Sequence, residues 1–300
     1  MSAVLKTLKQ IPVTPVSIEV IDPPTAKRYL AAMVQNRSQV DAKIIEYAVA
    51  MDQGRWSLNG ETIKFNAAGQ LIDGQNRLQA CLLADKSFET YVIRGLEDPR
   101  AFATIDVGKN RTHTDVLTIA GIPNQHNVVS AANLLILYDR KNIGWTGPLQ
   151  TRYDRSKLGN VGARLKSIPN KTTIIQKDEL LEWVAKNHEE IQEAVRKAHT
   201  SPAKRLVPVG TLAAVYFIGK RSGKIDQNQF VDDLAEGIGL GPRDPVRALR
   251  EKLLTAATSK TTKLNRFTVF GMSLKAMVKR IKKESIAHLR VVEGEDFPRV

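Results

Sequence analysis

The stretch Glu61-Thr62-Ile63-Lys64-Phe65-Asn66-Ala67-Ala68-Gly69-Gln70-Leu71-Ile72-Asp73-Gly74-Gln75-Asn76-Arg77 decides how this chain is read. Glu61–Phe65 alternates polar and apolar side chains, the period of a half-buried strand. Asn66–Gly69 has turn composition, and Gln70–Ile72 is a short second strand. Asp73-Gly74 interrupts it, and Gln75–Ala84 sets Leu78, Cys81 and Leu82 on one helical face. Thr90–Arg94 is a third strand, closed by Gly95. The order strand, turn, strand, tight turn, helix, strand predicts a small mixed sheet backed by helices.

The tight turn has chemistry of its own. A glycine bend feeding a helix leaves the first N–H groups without intrahelical partners, at the positive end of the helix dipole, which suits an anion. Gly74 has no Cβ to hold a ligand away. Arg77, in the first turn, offers a planar fork of donors to phosphate oxygens, and a cation there is unfavourable unless an anion lies between. The competing reading makes Asp73 an N-cap, Gly74 a turn residue and Arg77 a surface side chain. Two other segments also put arginine and small polar residues at a helix edge. They are Gln35-Asn36-Arg37 and Asp106-Val107-Gly108-Lys109-Asn110-Arg111-Thr112. In a compact β-unit, all three segments are expected to converge on one anionic ligand.

Outward from this core, Val16–Ile21 follows prolines and reads as an edge strand. Helices are predicted over Thr25–Val34 and over Val40–Asp52, where Ile44, Ile45, Ala48 and Met51 recur at helical spacing and Gly54 caps the end. Beyond Pro99 the pattern is helical: Pro99–Ala103, His113–Ile119, Asn127–Tyr138, Lys177–Lys186, Glu189–His199, Val209–Lys220, Gln227–Gly237, Pro245–Thr255 and Leu264–Lys283. Gly144–Thr173 reads as a long, mobile connection. The expected fold is α+β, with a domain over 1–118 holding the sheet and a mainly α-helical domain over 119–300. Thr114–Leu134 has a helix–turn–helix look, with Gln125, His126 and Asn127 placed to reach bases, but its second helix is so apolar that packing is the preferred reading.

Charge separates the two parts. Residues 1–118 hold 14 of the 45 basic and 13 of the 31 acidic side chains, a balance of +1. Residues 119–300 therefore hold 31 basic and 18 acidic, a balance of +13, which draws a polyanion such as DNA by counterion release. Its densest cluster is Lys275, Lys279, Arg280, Lys282 and Lys283, with Arg290 beyond, on a helix whose other face is Met272, Leu274, Met277, Val278 and Ile281. Spacings of three, four and seven make that cluster a candidate phosphate-facing stripe, with a solvated helix face as the alternative. The single cysteine, Cys81, excludes an internal disulfide and a thiolate zinc cluster and fits a reducing compartment. The five histidines show no metal-ligand spacing, no Ser–His pair sits in a nucleophile elbow, and no apolar run is long enough to cross a membrane.

The sequence from Val16 to Thr112 resembles the N-terminal domain of the ParB/sulfiredoxin superfamily, in its DGQHR-type variety. The resemblance rests on Asn36-Arg37, a helix, Gly54-Arg55-Trp56, two strands, Asp73-Gly74-Gln75-Asn76-Arg77-Leu78, a helix and a strand. It implies a nucleoside triphosphate, CTP or ATP, with Mg2+, cradled by Asp73, Gly74, Gln75, Asn76 and Arg77, with Arg37 from the earlier box and Asn110 and Arg111 from the later one. Gln75 stands where sulfiredoxins carry a cysteine, so sulfinic-acid reduction is not expected, and Cys81 reads as a packing residue. Asn76 replaces the usual histidine, which removes an acid–base group and leaves Asp73 and Asp106 as the nearest acidic catalytic candidates. The expectation is a nucleotide-binding protein that associates with DNA through its basic helical region, cytoplasmic and nucleoid-associated in a bacterial or phage-infected cell. A homodimer is left open. The alternatives are an accessory NTPase, a kinase or a nuclease of a DNA-modification or phage system, or an interaction protein that kept the fold without the ligand.

Overall fold

The computed structural model describes residues 16–33, 41–97, 111–149, 174–259, 263–292 and 294–300. Within the first two stretches lie four strands, β1 (Val16–Ile21), β2 (Thr62–Asn66), β3 (Leu71–Asp73) and β4 (Phe88–Leu96), and three helices, α1 (Pro23–Ala31), α2 (Asp41–Asp52) and α3 (Gln75–Ala84). The sheet order is β1-β4-β2-β3. β1 and β4 pair antiparallel, β4 and β2 parallel, and β2 and β3 antiparallel, which makes the sheet mixed as the sequence predicts.

Register fixes which residues make the core. Ile21 lies opposite Phe88, and Ile63 opposite Val92, so these residues fall on one face together with Phe65 and Leu71. Ala26 of α1, Ile44, Ala48 and Met51 of α2, and Leu78 and Cys81 of α3 cover that face. Each large aliphatic side chain so buried contributes about 1.5–3 kcal/mol. Trp56 packs edge-on against Tyr47 and Phe88 and donates its indole N–H to the Glu89 carbonyl at 3.0 Å, which seats the chain between α2 and β2. On the opposite face Val16, Ile18 and Val20 remain more than half exposed.

The second unit is helical: α4 (His113–Ile119), α5 (Gln125–Asp139), α6 (Lys177–Lys186), α7 (His188–Thr200), α8 (Val209–Ser222), α9 (Gln227–Glu236), α10 (Pro245–Thr258) and α11 (Arg266–Ile281), with a 3-10 turn at Pro202–Arg205. Residues 210–219 of α8 are all buried, so this helix is the axis on which α5, α7 and α11 pack. At Gly210 an added Cβ would lie 2.5 Å from Ser130, so glycine is what lets α8 and α5 cross this closely. The apolar residues of α5 are buried, so its composition serves packing, and His126 at its start is exposed. Residues 294–300 dock on the bundle: Phe297 packs on Trp145 and Phe270, and the Val300 N–H donates to the Tyr138 hydroxyl at 3.0 Å.

The boundary between the units falls ahead of residue 110, before the position 118 read from the sequence. Leu117 of α4 belongs to the helical core, and that contact assigns α4 to the second unit. The helix predicted at Pro99–Ala103 and most of the connection read over Gly144–Thr173 lie outside the described residues. Among the described residues no helix is long and apolar enough to cross a membrane.

Candidate functional site

The Asp73–Arg77 box forms the local structure its sequence implies. Gly74 adopts φ +103 and caps α3 with no side chain accepting from the first turn. A Cβ here would lie 2.9 Å from Ile63 Cγ1, so the bend is pressed against β2 on one side. Gly74 N–H donates to Asp73 Oδ1 at 2.7 Å, and the other oxygen of Asp73 takes the ammonium of Lys64.

Arg77 does not face a ligand. Its side chain is 6% exposed. Nη1 donates to Glu61 Oε2 at 2.7 Å, Nη2 donates to the Thr62 carbonyl at 2.5 Å, and Nη2 lies 3.5 Å from Asp73 Oδ1. Only Nε, buried with the rest, has no partner. The guanidinium is thus a clip that ties the first turn of α3 to the start of β2 and the end of β3. The reading of Arg77 as a phosphate ligand is corrected on this geometry. Asp73, taken up by Lys64, Gly74 and Arg77, is equally unsuited to act as a general base. Asp73 lies four residues before Arg77 but ends β3, outside α3, and the closer partners, Glu61 and the Thr62 carbonyl, come from the start of β2.

Most of the other two boxes, Arg37, Asp106 and Asn110 included, lies outside the described residues. Arg111 is exposed, with no ion pair among the described residues, and belongs to the helical unit. Gln75 is buried at the bend, and Asn76 is partly exposed. A triphosphate–Mg2+ clamp needs free guanidinium groups and free carboxylates, and in this box both kinds are already paired. The described residues of the box therefore do not fit that ligand as the resemblance implies it. No group of three or more His, Cys, Asp or Glu that could hold a metal occurs among the described residues.

A hollow that the sequence did not flag opens where β2 and β4 end. It measures about 360 Å3 and is lined by Arg28, Tyr29, Phe65, Asn66, Arg94 and Gly95, among others. Arg94 lies against the Tyr29 and Phe65 rings, 5.6 and 5.4 Å from their centroids, and holds Glu19 at 2.5 and 3.1 Å. Tyr29 donates its hydroxyl to Glu19 at 2.7 Å. Arg94 holds the Glu19 carboxyl down at about 2, against some opposition from burial. Burial, followed by the hydrogen bond to Glu19, raises the Tyr29 hydroxyl. Arg94 is taken up by Glu19 and Tyr29, so the pair is an internal fastening of β1, β4 and α1, while Arg28, which donates to Thr25 Oγ1 at 3.3 Å, stays exposed at the rim.

The basic stripe of α11 also breaks up on folding. Lys275 is drawn in by Glu295 at 2.6 Å and by the Arg290 carbonyl at 2.7 Å. Lys279 pairs with Glu284 at 2.6 Å. Arg280 Nη1 lies 2.5 Å from the buried Asp233 Oδ2, close but without hydrogen-bond alignment, and Nη2 lies 4.0 Å from Asp244. Lys282, Lys283 and Arg290 remain exposed, with no ion pair among the described residues. The expectation of one continuous stripe is corrected: three of its five members are neutralised, Lys275 and Arg280 by the sequence-distant Glu295 and Asp233, and Lys279 by Glu284, which directly follows the stripe.

Comparison with protein-family models, with curated proteins and with solved structures finds no match to this chain.

Proposed function

We propose that the chain associates with nucleic acid through its helical unit. One observation carries the reading: residues 119–300 hold a balance of +13 by sequence, and the described helices bury an apolar core while leaving Arg243, Lys282, Lys283 and Arg290 exposed. Exposed basic side chains attract a polyanion, which releases its counterions on binding. Residues 1–118 are nearly neutral by sequence, and the guanidinium at the centre of their nucleotide-like box is engaged internally. The ParB-like resemblance supports DNA as the polyanion. It supports a nucleotide less, because Asp73 and Arg77 are engaged within the fold and Arg37, Asp106 and Asn110 lie outside the described residues.

The test is fluorescence anisotropy of a labelled DNA duplex titrated with the full chain at several salt concentrations. Binding should weaken steeply with salt, with a slope of log K against log salt near −0.9 for each phosphate contacted. A flat response, or no binding at low salt, removes the proposal.

A further inference from the structure

The cations left over from the α11 stripe meet one from a different element. Lys283 ends the turn after α11 in the left-handed region, at φ +55. The Ile286 N–H donates to the Arg243 carbonyl at 2.9 Å, which ties the segment after α11 to the segment before α10. Between them lies an open notch of about 410 Å3, lined by Arg243, Asp244, Arg280, Lys283 and Glu284, among others.

The carboxylates of this notch are committed elsewhere. Asp244 caps α10, accepting from the Val246 N–H at 2.7 Å, and its other oxygen faces Arg280 at 4.0 Å. Glu284 is held by Lys279. Arg280 itself is anchored by Asp233. Arg243 and Lys283 are exposed and have no ion pair among the described residues. Paired acids beside unpaired cations leave a local positive potential, and the N-terminal end of the fourteen-residue α10 adds to it with the same sign.

Resting on the nucleic-acid reading above, we infer that this notch is where the helical unit grips a backbone phosphate of duplex DNA, through Arg243 and Lys283. Lys275 and Lys279 take no part in the contact. A guanidinium and an ammonium converging on one opening match a phosphodiester, with the guanidinium giving two parallel hydrogen bonds. The notch is open to solvent, so a polymer backbone can reach it, and Lys282, next to Lys283 in the sequence, is exposed as well.

The experiment compares the full chain with Arg243→Gln, Lys283→Asn, their double variant and Lys275→Gln, by duplex anisotropy against salt. Asparagine is chosen because it tolerates the left-handed backbone while removing the charge. The double variant should lower the salt slope by about two and weaken binding, while Lys275→Gln, whose partner Glu295 does not line the notch, leaves both unchanged. Arg243→Lys should restore most of the slope lost in Arg243→Gln. Should the double variant melt abnormally, Arg243→Gln alone decides the matter, since its side chain projects from an exposed loop. A wild-type slope in Arg243→Gln overturns the notch and leaves the nucleic-acid reading standing. No salt-dependent binding by the wild-type chain overturns both.

Discussion

At the scale of single residues, Arg77 shows how one side chain can satisfy a binding motif on paper and a structural need in the fold. Both descriptions use the same property, a rigid fork of donors beside a helix start. What decides between them is Glu61, fixed near Arg77 by the β2–β3 turn, together with the Thr62 carbonyl. Arg77→Ala should therefore destabilise the protein with no ligand present, by about 2 kcal/mol, since hydrogen bonds to charged groups typically contribute 1.5–3 kcal/mol. Arg77→Lys, which replaces the fork with a single ammonium, should lose less. Chemical denaturation of the unliganded protein measures both. Were Arg77 a phosphate ligand, Arg77→Ala would leave the unliganded stability intact and abolish only a nucleotide-dependent gain. The bend, the helix start and the Asp73–Arg77 spacing are all legible in the sequence. The direction in which Arg77 points is not, because it depends on an acid sixteen residues away, on the far strand of a turn.

At the scale of elements, what the sequence conveys well is period and what it conveys poorly is partnership. The alternation of Glu61–Phe65 and the spacing of the α11 apolar face both appear in the folded elements, because each is a property of one segment. Charge partners come from elsewhere: Glu19 and Arg94 are 75 residues apart, and Arg280 meets Asp233 from another helix. The stripe on α11 could not be seen to dissolve for that reason. The Glu19–Arg94–Tyr29 fastening makes a prediction about pH. Glu19 is held at about 2, below its ordinary 4.5, so the folded state favours its charged form. Its contribution to stability is therefore present above about 4.5 and is lost as pH falls towards about 2. Other carboxylates titrate in that window, so the informative quantity is the difference between the wild type and Arg94→Gln. Urea unfolding should show the wild type more stable at pH 7, with the gap shrinking as pH is lowered from 4.5 towards 2. A gap that stays constant would mean that Arg94 acts through packing against Tyr29 and Phe65 alone.

At the scale of the whole molecule, each unit has a core of its own: one built from the sheet and α1–α3, the other from the helices around α8. The basic excess lies C-terminal to residue 118, where residues 119–300 hold 31 basic against 18 acidic side chains. Composition could not assign His113–Ile119, because a short amphipathic helix does not announce which core it joins. Two cores imply that a packing fault in one should leave the other intact. Gly271 on α11 offers a sharp test, since a Cβ there would lie 2.7 Å from Trp145 and 2.8 Å from Phe297. Gly271→Ala should overpack that site at a cost of about 1–3 kcal/mol. Hydrogen exchange should then quicken for the amides of α8 and α11, which share the helical core, while those of β2 and β4 keep their wild-type rates. Equal acceleration in the sheet would show that the chain opens as one cooperative body, and a division of labour between the α/β unit and the helical one would lose its structural footing.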